Sequence, residues 1–356
     1  MAKINRISFI VRNDPALLQN RIFSGEPLYG MKSDNYPFIS LQSELMQRGI
    51  EFSTHDVLPP ASADAIICLD EVNSFNCIGI KDKPSYLIIS EPPIYSPANW
   101  EQKNHKPFRK VFTYDMSLCT NDRYVHYVFP IDFSAHQAFE NVSYSLFQHR
   151  KMCCLIAGAM LVSPEKETSS LLHERFLVAD YFSKFYHHDF DIYGRNLINE
   201  KFEHFTGASL LKKINLNFAV RYIASKKAAN IKKSYQGSIP PLKKLEFHNK
   251  YNFSICYDNS AINGCISERI FDCFVSKTVP VYRGALDIDK YIPADCFIDA
   301  RRFNSFNDLY HTLKNMNFQT YLEYLNNAHD FLQSHLVEKF KVSNYVKTII
   351  KNIEIE

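Results

Sequence analysis

Three carboxylates end short apolar runs in the first third of the chain: Asp70 after Ala65–Leu69, Glu91 after Tyr86–Ser90, and Asp115 after Lys110–Tyr114. Equivalent places later in the sequence hold other groups, namely Gly194-Arg195, Asp258-Asn259 and Arg283-Gly284. A carboxylate beside a reacting hydroxyl can take its proton, whereas arginines and helix N-termini can hold a leaving diphosphate. The first set offers proton abstraction and the second offers anion binding. The segment Gly264-Cys265-Ile266-Ser267-Glu268-Arg269 extends the second set. Ser267 suits a helix N-cap and Glu268 the first turn after it. A carboxylate there can accept both hydroxyls of a ribose, and Arg269 beside it can reach a phosphate. The same residue types also describe a capped surface helix with an ion pair, and composition leaves both readings open.

These groups are placed by alternating elements. Apolar runs at Ile7–Arg12, Ile50–Thr54, Ala65–Leu69, Tyr86–Ser90 and Lys110–Tyr114 are expected as buried strands, with a helix over Leu41–Arg48. The pattern restarts at Met152–Ile156. A helix from about Ser169 to Phe185, a strand at Phe190–Tyr193, a strand at Phe253–Tyr257, a helix over Ser267–Lys277 and a strand at Thr278–Tyr282 follow. Strands alternating with helices imply doubly wound parallel sheets, which bind ligands beyond the C-terminal ends of their strands. Two successive α/β halves are expected, with a boundary near residues 140–150. The stretch from Leu309 to Ile355 reads as amphipathic helix, either packing back on the body or lying on a membrane surface.

The bulk numbers fit this plan. The chain has 356 residues, enough for two domains, and 46% hydrophobic with 22% charged residues suits a packed core. An aromatic share of 14% suits clefts that stack sugar rings or bases, although AT-rich coding bias gives the same excess. A formal net charge of +3 excludes a strong field for nucleic acid. The charge is uneven, because Lys201 to Lys250 contains only Glu203 and Glu246 as acids among many lysines. That run is either a solvated face or a surface for anionic phosphate or membrane. Nine cysteines without a framework read as reduced thiols of a cytosolic protein. The N-terminus shows no signal-peptide stretch, and no window reaches the roughly 18 apolar residues of a membrane span. A cytoplasmic protein, at most peripheral to the inner face of the membrane, is the expectation.

Several chemistries have no support. There is no GxGxxG or GxxxxGK[ST] phosphate loop and no GxSxG serine elbow. The histidines, His187-His188 included, have no partners at metal-ligand spacing, so no metal and no obligatory cofactor is expected.

From Lys250 to Phe303 the pattern becomes specific. The run KYNFSICYDNSAINGCISERIFDCFVSKTVPVYRGALDIDKYIPADCFIDARRF resembles the donor-binding signature of α-1,3/4-fucosyltransferases, glycosyltransferase family 10. LLHERFLVADYFSKFYHHDFDIYGR resembles that family's arginine-bearing helix and the strand before its Tyr-Gly pair, and SEPPIYSP resembles its Glu-Ser-Pro element. Three residues depart from the pattern: Asp258 stands where the family usually has Glu, Cys265 where some members have an aromatic residue, and Arg269 where it has Lys.

The resemblance implies a GT-B fold, with two Rossmann-like domains facing a central cleft and a helical C-terminal tail. The expected divisions are an acceptor domain over residues 1–148, a donor domain over 149–330 and a tail over 331–356. It implies transfer of L-fucose from GDP-fucose to a sugar hydroxyl with inversion, and no obligatory metal. By position, Glu91 matches the general base, Arg175 and Arg269 bind the diphosphate, Glu268 holds the ribose and Asn259 lies near the donor sugar. Tyr193 and Gly194 line the nucleotide pocket, while Ser267 and Cys265 flank it. The implied acceptor is a surface glycan such as lipopolysaccharide O-antigen, at the 3-hydroxyl of a GlcNAc- or Glc-type sugar. Residues 201–250 could add peripheral membrane contact. Another nucleotide-linked 6-deoxy sugar, or a non-catalytic glycan-binding protein, are the alternatives.

Overall fold

The computed structural model describes residues 3–26, 35–78, 82–133, 142–157, 170–194 and 217–353, with only the backbone for residue 77, residues 217–225 and residue 241. Arg195 and the basic residues of 201–216 lie outside the described residues. In chain order the elements are β1 (Arg6–Ile10), α1 (Tyr36–Gln47), β2 (Glu51–Thr54), β3 (Ala65–Leu69), α2 (Val72–Ile78), β4 (Ser85–Ile88), β5 (Lys110–Thr113) and β6 (Tyr124–His126). There follow α3 (Tyr144–His149), β7 (Lys151–Ile156), α4 (Leu172–Phe185), β8 (Phe190–Tyr193), α5 (Asn217–Ser234), α6 (Lys244–His248), β9 (Tyr251–Tyr257), α7 (Glu268–Val275), β10 (Val279–Arg283) and β11 (Ile298–Asp299). The last helices are α8 (Phe306–Lys314), α9 (Phe318–Gln333) and α10 (Val342–Asn352).

The chain forms two compact units. One comprises Met1–Ala135, Ile262–Cys265 and Val337–Glu356; the other comprises His136–Ala261 and Ile266–Leu336.

In the N-terminal unit the strand order is β2-β1-β3-β4-β5-β6, every pair parallel. β3, with sequence AIICL, is almost wholly buried, as a strand covered on both faces must be. In register, Ser8 faces Ser53 on one side and Ile66 on the other. The order reverses beside β1, which makes the β1/β3 gap this sheet's switch point.

α10 explains how the end of the chain joins this unit. Its buried residues Val342, Tyr345, Val346, Ile349 and Ile350 fall at i, i+3, i+4, i+7 and i+8, one stripe of a helix. That stripe enters the N-terminal core with Leu41 and Leu45 of α1. Truncating a residue such as Ile349 would cost about 2–5 kcal/mol, because neighbours close such a cavity only in part.

The C-terminal unit repeats the plan with the order β11-β10-β9-β7-β8, again parallel throughout. Its switch point lies between β7 and β9, where Cys154 pairs with Ser254. α7 begins at Ser267, whose Oγ accepts the Arg269 N–H at 3.4 Å, and it buries Ile270, Phe271, Cys273 and Phe274. Burying each phenylalanine contributes roughly 1.5–3 kcal/mol, whereas Ser267→Ala would remove a cap worth about 1 kcal/mol.

Besides the short helices α2, α3 and α6, three other described elements were not marked by the sequence pattern. β6 and β11 are three and two residues long, and α5 runs through the lysine-rich segment read only as a charged stretch. Among the described residues, no helix is long and apolar enough to cross a membrane.

Candidate active site

Arg175 lies on α4, the helix that follows β7, and is 1% exposed. Its Nη2 donates to the Tyr257 carbonyl at 2.6 Å and to Asn259 Oδ1 at 2.9 Å. Asn259 holds the same helix a second time, because its carbonyl accepts the Leu171 N–H at 2.9 Å. A guanidinium taken out of water needs such partners. Arg175 and Asn259, 84 positions apart in sequence, thus meet at the C-terminal end of β9, beside the switch point where open α/β sheets bind ligands.

Asp258 links this corner to α7. Its N–H donates to the Arg283 carbonyl at 2.8 Å, and its buried carboxylate accepts the Tyr282 hydroxyl at 2.7 Å and the Ser267 hydroxyl. Arg269 Nη1 lies 3.6 Å from the same carboxylate and 3.1 Å from Ser267 Oγ. Burial pushes the Asp258 carboxyl up, with Arg269 and the two hydroxyl donors opposing it. Tyr282 Oη also accepts the Ala285 N–H at 2.9 Å. Gly284 passes so close that an added Cβ would overlap Asp258 Oδ2 and Tyr282 Oη. Nearby, Arg283 forks onto Glu174 with contacts of 2.5 and 2.8 Å.

Glu268 opens α7 beside Lys244, whose Nζ is 3.3 Å from Glu268 Oε1 and 2.5 Å from Asp272 Oδ2. Burial opposes charge on Glu268, but Lys244 and Arg269 outweigh it and hold the carboxyl at about 2. Glu268 is therefore an ionised acceptor at neutral pH, the form that can receive two hydroxyl protons.

Tyr193 and Gly194 end β8 and belong to a second hydrogen-bonded group. The Tyr193 and Tyr251 hydroxyls are 2.8 Å apart, and Tyr251 donates to Asp191 Oδ2 at 2.6 Å. Asp191 is also met by Lys151 at 2.7 Å and Gln236 at 2.9 Å. Gly194 donates to the Gly237 carbonyl at 3.1 Å and accepts the Tyr235 hydroxyl at 2.8 Å. Cys265 falls elsewhere: it is in the N-terminal unit, packed against that unit's core.

In the N-terminal unit Glu91 follows the end of β4. Its N–H and that of Ser90 point to the carboxylate of Asp70, at 3.2 Å and 2.9 Å, and its carbonyl accepts the Trp100 indole N–H at 3.0 Å. Burial raises the Asp70 carboxyl to about 7, and the neighbouring Glu91 charge adds to the rise.

Among the described residues, no group of three or more His, Cys, Asp or Glu is placed to hold a metal ion. Among the described lysines of the basic run, Lys244 is engaged as above, Lys227 meets Asp180 at 2.9 Å and Lys250 lies over the Phe247 ring. Sequence reasoning marked Asp70 as a strand-end carboxylate but gave no site role to Lys244 or Tyr282. Their partners lie 24 positions away in sequence, so no local pattern marks them.

Residues 209–352 match the model of the C-terminal part of glycosyltransferase family 10, the fucosyltransferases. The resemblance to family 10 holds. The chain is 29% identical over 119 residues to an α-(1,3)-fucosyltransferase of Helicobacter pylori, covering 31% of this chain and 24% of that one. It is 35% identical over 83 residues to the human 4-galactosyl-N-acetylglucosaminide 3-α-L-fucosyltransferase 9, covering 22% of this chain and 23% of that one. The matched segments thus span about a quarter of the length of these relatives. The fold likeness is longer. A crystal structure of an α1,3-fucosyltransferase with GDP covers 98% of this chain and 90% of its own, with a TM-score of 0.56 at 15% identity. The Anabaena protein Alr3699/HepE in complex with UDP-glucose covers 98% and 99%, with a TM-score of 0.55 at 10% identity. The fold is thus α/β of the GT-B type, two parallel sheets with helices, as the family 10 resemblance implies.

Proposed function

We propose that this protein transfers L-fucose from GDP-fucose to a sugar hydroxyl in a single inverting displacement. The observation that carries the reading is Arg175, buried and locked by Tyr257 and Asn259 at the end of β9. In the same unit, Asp258 ties that corner to the Ser267-capped helix with Glu268 and Arg269. Transfer builds positive charge on the sugar and negative charge on the departing diphosphate. Arg175 and Arg269 stabilise the diphosphate, while Glu268 accepts the ribose hydroxyls. Asn259 lies by the donor sugar, and Tyr193, Gly194 and Ser267 complete the donor side. Glu91 removes the proton of the attacking hydroxyl. No divalent metal is required by this scheme, because the arginines supply the countercharge.

The GT-B fold alone does not choose the donor, since a UDP-glucose complex resembles this chain as well as a GDP complex does. The family 10 match over 209–352 favours GDP-fucose. The acceptor of this proposal is the 3-hydroxyl of a GlcNAc- or Glc-type sugar in a surface glycan such as lipopolysaccharide O-antigen, presented at the cytoplasmic face of the membrane. Exposed Lys226, Lys232 and Lys233 of α5 give that contact its charge. Unchanged binding to anionic liposomes after neutralising these three would remove the membrane part of the proposal.

The deciding experiment is a thermal-shift screen with GDP, GDP-fucose, GDP-mannose, UDP and dTDP. Ligand at about 100 times its Kd adds roughly 2.7 kcal/mol to apparent stability. Stabilisation by GDP and GDP-fucose supports the donor. Stabilisation by another nucleotide instead replaces it, and no shift with any of them favours a non-catalytic glycan-binding protein.

A further inference from the structure

Asp70 has the left-handed backbone of φ 52°, a region that few residues other than glycine enter and that Asp and Asn tolerate best. Its N–H donates to the Ile88 carbonyl at 3.0 Å, which fastens it to β4, and its own carbonyl accepts the Asn99 side-chain N–H at 2.7 Å. Asn99 is buried; its Oδ1 accepts the Val72 N–H at 3.1 Å and its carbonyl lies 2.8 Å from His105 Nε2. The backbone that carries the Asp70 carboxylate is therefore held on both sides. The carboxylate itself receives three donors from the next strand's end: the Ser90 N–H, the Ser90 hydroxyl and the Glu91 N–H. Trp100 completes the hold by donating to the Glu91 carbonyl at 3.0 Å.

We infer that Asp70 is a positioning residue, which fixes the Ser90-Glu91 turn and thereby aims the carboxylate that accepts the proton in the proposed transfer. The inference rests on the reading of Glu91 as the base. The turn follows the last residue of β4 and precedes Pro92, so its N–H groups have no ladder partner and find one in Asp70. A base must sit within hydrogen-bond reach of the proton it takes, and small misplacements cost rate steeply.

The same contact couples two carboxyls. The titratable groups that feel Asp70 are Cys68, Tyr114, Tyr127 and Tyr345, and Tyr127 also feels Glu91; Glu71, next in sequence, lies 3.9 Å from Arg12. Burial and the nearby Glu91 charge push the Asp70 carboxyl up to about 7, so Asp70 takes up a proton well before an ordinary carboxyl does.

The test compares Asp70→Asn, Asp70→Ala and Glu91→Gln with the native protein, by kcat, GDP affinity and the pH profile of kcat/KM. Asn tolerates the left-handed backbone and keeps an acceptor but removes the charge. The native profile is expected to carry a step near pH 7 from Asp70, and Asp70→Asn, which cannot titrate there, is expected to lose it. Asp70→Ala removes the acceptors, and kcat is expected to fall about 10- to 100-fold with GDP affinity unchanged. A merely structural role moves Tm and leaves the profile of Asp70→Asn like that of the native protein. An inactive Glu91→Gln with native kcat in Asp70→Ala and a native profile in Asp70→Asn overturns the positioning role alone. An active Glu91→Gln overturns the base itself, and the inference with it.

Discussion

Lys244 of α6 reaches to within 3.3 Å of Glu268 at the start of α7. It also meets Asp272, so one ammonium answers two carboxylates one helical turn apart. Both ends of the pair are largely shielded, at 19% and 26% side-chain exposure. Taking one partner from a buried pair costs about 3–5 kcal/mol, and partial exposure brings the expected loss for Lys244→Met to about 2 kcal/mol.

The pair also predicts how donor binding responds to pH. Glu268 is held at about 2, below its ordinary value, so its contribution is present above the unfolded pKa and is lost as pH falls towards 2. Native GDP affinity should therefore show no Glu268 titration between pH 5 and 8. In Lys244→Met the two facing carboxylates retain a proton at higher pH, and affinity relative to the native protein should fall as pH drops through that window. Calorimetric titration with GDP at several pH values checks this. A constant ratio of the two affinities would contradict a part for Glu268 in donor binding.

Arg175→Lys keeps the charge and loses the fork that meets both Tyr257 and Asn259. A hydrogen bond to a charged group contributes about 1.5–3 kcal/mol, so GDP affinity should weaken about 10- to 100-fold. The measurement is GDP binding, with circular dichroism to show that the fold persists.

Glu91→Gln should reduce kcat by about 10²–10⁴-fold, the usual contribution of a positioned base. GDP binding should not change, which separates a failed proton transfer from a failed donor site. Steady-state kinetics with GDP-fucose and an N-acetyllactosamine-type acceptor gives the first value, and calorimetry gives the second.

Gly284→Ala should destabilise the C-terminal unit although it adds a single methyl group. The new Cβ would overlap Asp258 and Tyr282, two side chains bonded to each other in the interior. Overpacking of this kind costs about 1–3 kcal/mol. The loss should appear as a lower Tm and as weaker GDP binding, since Asp258 carries Ser267 and Arg269.

His248 gives a pH dependence of stability. Burial, with the charge of Lys244, holds its imidazole at about 3, far below the usual value of 6.5. Above 6.5 neither state binds the proton. As pH falls below it the unfolded chain takes one up and the folded chain does not, so stability is lost progressively down to about 3. Each pH unit in that window is worth up to about 1.4 kcal/mol for this group. Urea unfolding at pH 7 and pH 5 should show the loss, and His248→Gln should reduce its slope.

Much of the fold was legible because both sheets are parallel and buried on both faces, which writes their strands as apolar runs. β3 occupies Ala65–Leu69, the residues its apolar run marks, and β8 occupies Phe190–Tyr193 in the same way. Ser267 was legible as a cap because capping is local chemistry between a hydroxyl and an N–H two residues on. β6 was not, since Tyr124–His126 is half-buried along its length and shows no alternation. α5 was hidden by its lysines, which read as charge before they read as helix.

The sequence by itself determined the alternation of strands and helices, the positions of Glu91 and Asn259 at strand ends and of Glu268 and Arg269 at a helix start, and the resemblance to family 10 that picks out Arg175. Each of those signals is carried by residues close together along the chain. Only the tertiary structure decided that Arg175 is locked to Asn259, that Asp70 holds the Glu91 turn, that Lys244 answers Glu268, and that α10 closes the N-terminal core instead of the unit before it. These are contacts between groups 20 to more than 80 positions apart, and α10 packs on α1 from the far end of the chain. Hydrogen bonds and buried charges are satisfied by whatever the fold brings near, and an apolar helical stripe states that it will be covered without naming the surface that covers it.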